Sequence, residues 1–227
     1  MLSLDVFNKY INWPKDIIYY NNNPVGYAMD EITDATGLDD LRISGFEGFS
    51  EQNRYEIAIN FLGLMDYLHK KKIVVGDLKL DNIMIKHPNE VYLIDCGSYQ
   101  IGDYPCVVFH PLYTKKQYTE QELRKYLRSP EDEYYAINKI IFEIIVGRTP
   151  FFDPDDPNLD EEGTKFLYPL DISTIPSTTK RVDLKRWAMM SKKMREMFYY
   201  YFTQDKVSYL PEWIKEIENH YAKLTKK

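Results

Sequence analysis

The chain has 227 residues, 44% of them hydrophobic and 28% charged, with a formal net charge of −6. That is enough chain to bury a substantial core in one large domain, and the composition is that of a globular protein. The acidic balance argues against a nucleic-acid binder, which needs a basic face, and against adhesion to anionic membrane surfaces.

At the start, MLSLDVFNKY has no basic cluster followed by a long apolar run, so it does not read as a signal peptide. Residues 12–22 (NWPKDIIYYNN) and 24–32 (PVGYAMDEI) read as two short strands joined by an Asn-rich turn that ends at Pro24. A polar segment with Gly37, Gly45 and Gly48 follows and leaves room for a short helix over Leu38–Ile43. Ser50 then caps a long helix. Ile57, Phe61, Leu64 and Leu68 form one stripe of it, and Ala58, Leu62 and Met65 an adjacent one. Such a wide apolar face suits a helix packed on two sides. His69, Lys70, Lys71 and Lys72 put positive charge at its C-terminal end, where the helix dipole is negative.

Residues 73–75, 83–86 and 91–94 read as short strands, the last two paired as a hairpin through HPNE. Residues 134–146, YYAINKIIFEIIV, are apolar nearly all round and stop at Gly147, the pattern of a helix inside the protein. The acidic stretch 153–162, DPDDPNLDEE, lacks the Gly and the closing Glu of a calcium loop and reads as a surface loop. In the tail, MREMFYYYF packs on the core, and Pro211 opens a last amphipathic helix with Trp213, Ile217 and Tyr221 on one side. No stretch approaches 18 apolar residues, so no membrane span is expected. Two cysteines, Cys96 and Cys106, are too few for a disulfide framework and fit a cytoplasmic protein with reduced thiols.

Chemistry concentrates in VVGDLKLDNIMI, residues 74–85, and in the strand that follows. Asp77, Lys79 and Asn82 stand at offsets of 0, 2 and 5, and VYLI runs directly into Asp95-Cys96-Gly97. Each residue type occupies roughly one position in twenty, so five fixed positions in this order are a strong signal.

The pattern resembles the catalytic loop and metal-binding motif of the protein-kinase family. The resemblance runs from about Trp13 to the C-terminus: a long helix precedes the loop, and a buried helix ending GRTPF follows it. It looks closest to a divergent bacterial subgroup with WPxD, VGYxM and IDxxSYQI…YPC runs. The resemblance implies an α+β, mainly α fold: a kinase-like C-lobe over residues 33–227. Residues 1–32 would be a remnant N-lobe made of a helix end, its last two strands and the hinge. It implies Mg²⁺ and ATP as cofactors. Asp77 would accept or orient the proton of a substrate hydroxyl, and Lys79 would steady the transferring phosphoryl group. Asn82 and Asp95 would hold Mg²⁺, and Gly97 would let the backbone turn after the metal ligand. Asp30, Glu31 and Ile32 would offer backbone groups to adenine, with Met84 beneath the base.

Departures from the family pattern set further expectations. No glycine-rich loop or strand lysine is visible before Trp13. Val75-Gly76 stands in place of His-Arg, which removes the usual receiver of an activation-loop phosphate. Cys96 replaces Phe, His110 replaces a threonine, and Gln117 replaces a glutamate whose arginine partner is missing near residues 207–211. The buried Asp of the central helix becomes Glu133, or Asp132 in a shifted register.

Three readings follow. The first is a protein kinase moving the ATP γ-phosphate to a protein hydroxyl, with a partner that supplies or replaces the N-lobe. The second is a pseudokinase scaffold with an exposed apolar face above the hinge. The third is a small-molecule kinase of the aminoglycoside type, against which Lys79 and Gly97 speak. None of the four histidines has metal-ligand spacing to another.

Overall fold

In the computed structural model, residue 6 and residues 8–115, 119–151 and 165–226 are described. The acidic stretch 153–162 and Gln117 lie outside them, as does most of the expected N-terminal helix end; Lys9 and Tyr10 form a turn.

Strands β1 (Asp16–Tyr20) and β2 (Asn23–Ala28) pair antiparallel. Asn21 and Asn22 both take positive φ between them (49° and 62°), the backbone that a tight right-twisted hairpin requires. All eleven strand residues are exposed. The hairpin is held at its base by Lys15, whose backbone N–H donates to the Ala28 carbonyl and whose ammonium pairs with Asp30 at 2.6 Å.

After β3 (Thr36–Gly37) comes α1 (Leu38–Ile43), then α2 (Glu51–Lys70). Ser50 and Asn53 close a reciprocal cap at the start of α2, so two of the orphan N–H groups are satisfied. Both apolar stripes of α2 are buried. One side meets α4 (Tyr134–Val146), of which twelve residues are buried. The other meets the last helix, α7 (Leu210–Leu224), which begins with Pro211 in its first turn and buries Trp213 and Ile217.

Between α2 and α4 the chain builds small sheets that carry the chemical residues. Strand β4 (Ile73–Val74) pairs with β7 (Gln100–Ile101). Strands β5 (Ile83–Lys86) and β6 (Glu90–Leu93) form the expected hairpin, and β3 adds to its edge. The segment before β1 is stitched to β6, with Leu93 N donating to Tyr10 O and Asn12 N to Leu93 O, each at 2.9 Å. Short α3 (Glu120–Leu123) precedes α4. Helices α5 (Val182–Met189) and α6 (Lys192–Gln204) complete an aromatic core in which Phe142 of α4 meets Tyr168, Trp187 and Phe198. The fold is α+β and mainly helical, and no helix among the described residues is long and apolar enough to cross a membrane.

Candidate functional site

The loop between β4 and β5 opens with Val75-Gly76-Asp77. Gly76 has φ +79°, and a Cβ there would stand 2.3 Å from Cys106 Sγ and 2.6 Å from Cys106 Cβ, so only glycine fits. Groups from distant parts of the chain grip this turn. Glu133 Oε1 accepts from Gly76 N at 2.8 Å, and Glu133 Oε2 meets His69 Nε2 at 2.8 Å. Arg128 donates to the Gly76 carbonyl at 2.5 Å and to the Val108 carbonyl at 2.7 Å. The Gln100 side chain latches the Arg128 backbone in both directions. A buried carboxylate persists when it is paired and hydrogen-bonded, as Glu133 is.

Within the loop, Asn82 Nδ2 donates to the Asp77 carbonyl at 2.9 Å and lies 3.5 Å from the Asp77 carboxylate. Lys79 Nζ stands 3.0 Å from Asp77 Oδ2. A single helical turn over Leu80–Asn82, pinned by the buried Leu80, sets these two side chains. The structure therefore brings Asp77, Lys79 and Asn82 together. Ile94 N donates to the Asn82 carbonyl at 3.0 Å, which ties the loop to the strand that delivers Asp95.

Asp95 itself takes φ +57° and ψ +51°, and its side chain is exposed. The left-handed turn expected at Gly97 thus falls on Asp95, a residue type that tolerates it. Gly97 supplies space instead: a Cβ there would lie 3.3 Å from the Tyr27 hydroxyl and 3.5 Å from Asp95 Oδ1. Tyr27 of β2 is the hairpin's link to this motif, and its hydroxyl is pushed up, chiefly by desolvation and further by the neighbouring Asp95 side chain. Cys96 is fully buried, and burial pushes its thiol up to about 11, so it is a neutral apolar plug.

The donors suit a hard divalent cation. Asn82 spends its amide nitrogen on Asp77, which leaves Oδ1 as an acceptor, and Asp95 adds a carboxylate that accepts no hydrogen bond among the described residues. No three His, Cys, Asp or Glu side chains converge among the described residues. An ion held by Asn82 and Asp95 would complete its shell with water and phosphate oxygens, which is the habit of Mg²⁺.

Asp30, Glu31 and Ile32 line a cavity of about 630 Å³ with Trp13, Lys15 and Lys86. Their backbone groups enter no hydrogen bond among the described residues. Met84 does not line that cavity. It sits on β5 between Gly37 and Tyr92, on the same strand face as Lys86.

Glu133, and not Asp132, reaches the loop. Asp132 caps the turn before α4, accepting from Ser129 N at 2.7 Å and from the Tyr126 hydroxyl. His110 accepts from Leu112 N and caps a short turn. Sequence reasoning missed His69, Arg128, Gln100 and Tyr27. For His69 a signal existed: it follows Met65 by four residues and so extends the apolar stripe of α2.

A sequence model described as the protein kinase domain matches residues 17–217. Serine/threonine-protein kinase 1 of Lymantria dispar multicapsid nuclear polyhedrosis virus is 26% identical over 106 residues, 47% of this chain and 38% of that protein. Protein kinase C eta type of Mus musculus is 27% identical over 114 residues, 50% of this chain and 17% of its own. Serine/threonine-protein kinase VRK2 of Homo sapiens is 32% identical over 93 residues, 39% of this chain and 17% of its own. The matches thus span well under half of these relatives' own length. Among solved structures, the yeast RNA Pol II CTD kinase CTDK-1 complex superposes with a TM-score of 0.51 at 15% identity, covering 92% of this chain and 62% of that one. That likeness is one of fold. With the domain match running over most of its length, the chain belongs to the protein kinase family.

Proposed function

We propose that the protein transfers the γ-phosphate of ATP to a serine or threonine hydroxyl of another protein. One observation carries this reading: on one loop, the Lys79 ammonium and the Asn82 amide stand 3.0 and 3.5 Å from the Asp77 carboxylate. Phosphoryl transfer asks a protein mainly for positioning and for charge to offset the phosphates. Asp77 is the group that orients and deprotonates the acceptor hydroxyl. Lys79 stabilises the charge that develops on the phosphoryl oxygens. Asn82 and Asp95 would hold Mg²⁺, which when bound neutralises phosphate charge. The backbone groups of Asp30, Glu31 and Ile32 bind adenine, and Met84, outside the cavity those residues line, would meet the base from β5. The division at residues 32/33 into a hinge-bearing N-terminal part and a C-lobe belongs to the same reading, as does a cytoplasmic setting for two buried free thiols.

Titration calorimetry with Mg·ATP tests the site. Asp95→Ala is expected to abolish the heat of binding, and equal heats from both proteins would sink the reading. Asp77→Asn is then expected to lower phosphate transfer at least about 10²-fold, the usual worth of a general base.

A second reading rests on the hairpin. Ile18, Tyr19, Tyr20 and Val25 are 50% to 70% exposed, an apolar surface above the hinge that suits a protein partner. A protein that binds such a partner yet moves no phosphate in its presence would be a scaffold. The small-molecule kinase is the weakest alternative, because Lys79 and Gly97 fit protein kinases better.

A further inference from the structure

Gly147 ends α4 in the left-handed region, at φ +86°. It lines a cavity of about 720 Å³ among α1, α4 and α5. Six basic side chains line or back this cavity: Arg42, Arg54, Arg148, Lys180, Arg181 and Arg186. In a chain of net charge −6 this concentration runs against the background. Among the described residues, the carboxylates within reach are already engaged. Asp39 is held by Arg42 at 2.7 Å, Glu51 by Arg186 at 2.8 Å, Asp183 by Arg181 at 2.6 Å, and Glu143 by the Tyr113 hydroxyl at 3.1 Å.

Arg54 is the informative member. It is fully buried, its Nε donates to the Ile144 carbonyl at 2.7 Å, and its guanidinium lies over the Phe46 ring. Its Nη1 and Nη2 have no partner among the described residues. Arg54 Nη2 and Arg186 Nη1 converge on the open side of Gly147, 2.9 and 2.7 Å from where a Cβ would sit. Burial and the like charge of Arg186 work against protonation of Arg54, and Glu51 and Tyr55 favour it. A buried cation whose nearest carboxylate already pairs with another guanidinium is costly. Arg186 spends Nε on Glu51 and points Nη1 at the Val146 carbonyl at 3.4 Å, which leaves Nη2, and beside it both Nη groups of Arg54, as the N–H donors that a phosphate dianion satisfies. Lys180, exposed and without an ion pair among the described residues, stands on the same cavity wall.

We propose that this cavity docks the phosphate of an already phosphorylated protein segment, apart from the loop at Asp77. That the anion belongs to a protein rests on the kinase reading; the anion site itself rests on Arg54, Arg186 and Lys180. Glu133 precedes the first residue of α4 and Gly147 follows the last, so the helix's 13 residues separate the two sites by about 20 Å. An extended peptide rises about 3.3 Å per residue, so the docked phosphate and the acceptor hydroxyl stand at least about six residues apart. A substrate phosphorylated once at a distance would therefore be held for a second transfer.

The test measures fluorescence anisotropy of a phosphoserine peptide pool with neutral flanks against its unphosphorylated parent pool, on the whole chain without nucleotide. The phosphorylated pool is expected to bind on the order of tenfold tighter, a difference of about 1.4 kcal/mol. Lys180→Glu is expected to lose most of that difference while keeping its melting temperature, and Arg186→Gln to repeat the loss. Equal binding of the two pools overturns the proposal, and so does full phosphopeptide affinity in Lys180→Glu. A stronger response to phosphatidylserine vesicles than to the phosphorylated pool would also overturn it, in favour of a membrane ligand. Asp77→Asn is expected to keep phosphopeptide binding, so failure of phosphate transfer and failure of docking are read separately.

Discussion

Gly76 has room for a hydrogen and nothing larger. Substituting alanine would ask for a left-handed backbone, which costs about 1–2 kcal/mol, and would drive a methyl into Cys106, with an overpacking cost of about 1–3 kcal/mol. Gly76→Ala is therefore expected to lose about 2–5 kcal/mol in urea unfolding. Adding Cys106→Ala removes Sγ, the nearer atom at 2.3 Å, but leaves Cβ at 2.6 Å and leaves the backbone strain. The double variant should recover part of the loss and not all of it. Full recovery would mean that the backbone is free to relax at Gly76, and no recovery that Cys106 is not the obstacle. The same residue explains a departure in the sequence: with glycine at position 76, no arginine side chain can reach out from there. Arg128, 52 positions later, brings a guanidinium to the loop by another route and donates to the Gly76 carbonyl.

At the scale of elements, the start of α4 holds the loop through one carboxylate. Glu133→Ala would leave the Gly76 N–H and His69 buried without their acceptor, and each buried group left unsatisfied costs about 1–3 kcal/mol. Asp132→Ala removes only a cap, worth about 1 kcal/mol. Denaturant midpoints of the two variants should differ accordingly, and equal losses would contradict the assignment of Glu133 as the anchor. The hairpin β1–β2 offers a contrasting case. A two-stranded hairpin exposed along its whole length has little to hold it, and its amides should exchange with deuterium before those of α2 and α4. Protection there equal to that of α4 would show that the hairpin packs against something.

These elements also show what a sequence can and cannot reveal. Helices α2 and α4 were legible because their own residues carry the signal: a capping serine, apolar stripes at helical spacing, and a terminating glycine. The two-residue strands β3 and β7 were not, because nothing in so short a segment encodes pairing; their partners β5 and β4 define them. Helix α5 was hidden by its brevity. Asp77, Lys79, Asn82 and Asp95 stood out because their order itself is chemical. His69 and Arg128 did not, since each acquires its role from a residue more than fifty positions away.

For the molecule as a whole, the C-terminal helix is the closing piece, and its docking on α2 is expected to depend on pH. His220 of α7 is buried, its ring lies 5.0 Å from that of Tyr55 on α2, and its Nε2 has no partner among the described residues. Burial holds its pKa below the usual 6.5; Glu216 opposes this and Lys223 adds to it. In the unfolded chain the same imidazole titrates near its ordinary value of about 6.5. Between the depressed folded value and 6.5 the unfolded state binds more protons, so stability rises with pH across that window. The contribution is complete above pH 6.5 and is lost as pH falls through the window toward the folded value. Glu56 and Tyr221 supply a second tie between the same helices through a hydrogen bond that persists at these pH values, because Glu56 stays ionised: burial pushes its pKa up, but bonds from Tyr221, Asn89 and Asn53 bring it below the ordinary value. His220→Gln removes the titrating group while leaving that bond. Chemical denaturation from pH 7.5 to 5 should show the wild-type midpoint falling on the acid side and a shallower fall in the variant. The comparison isolates one residue, since the other three histidines are the same in both proteins. Parallel curves would mean that His220 takes up its proton without disturbing the seam, and that α7 is held by Trp213, Ile217 and the Glu56–Tyr221 bond alone.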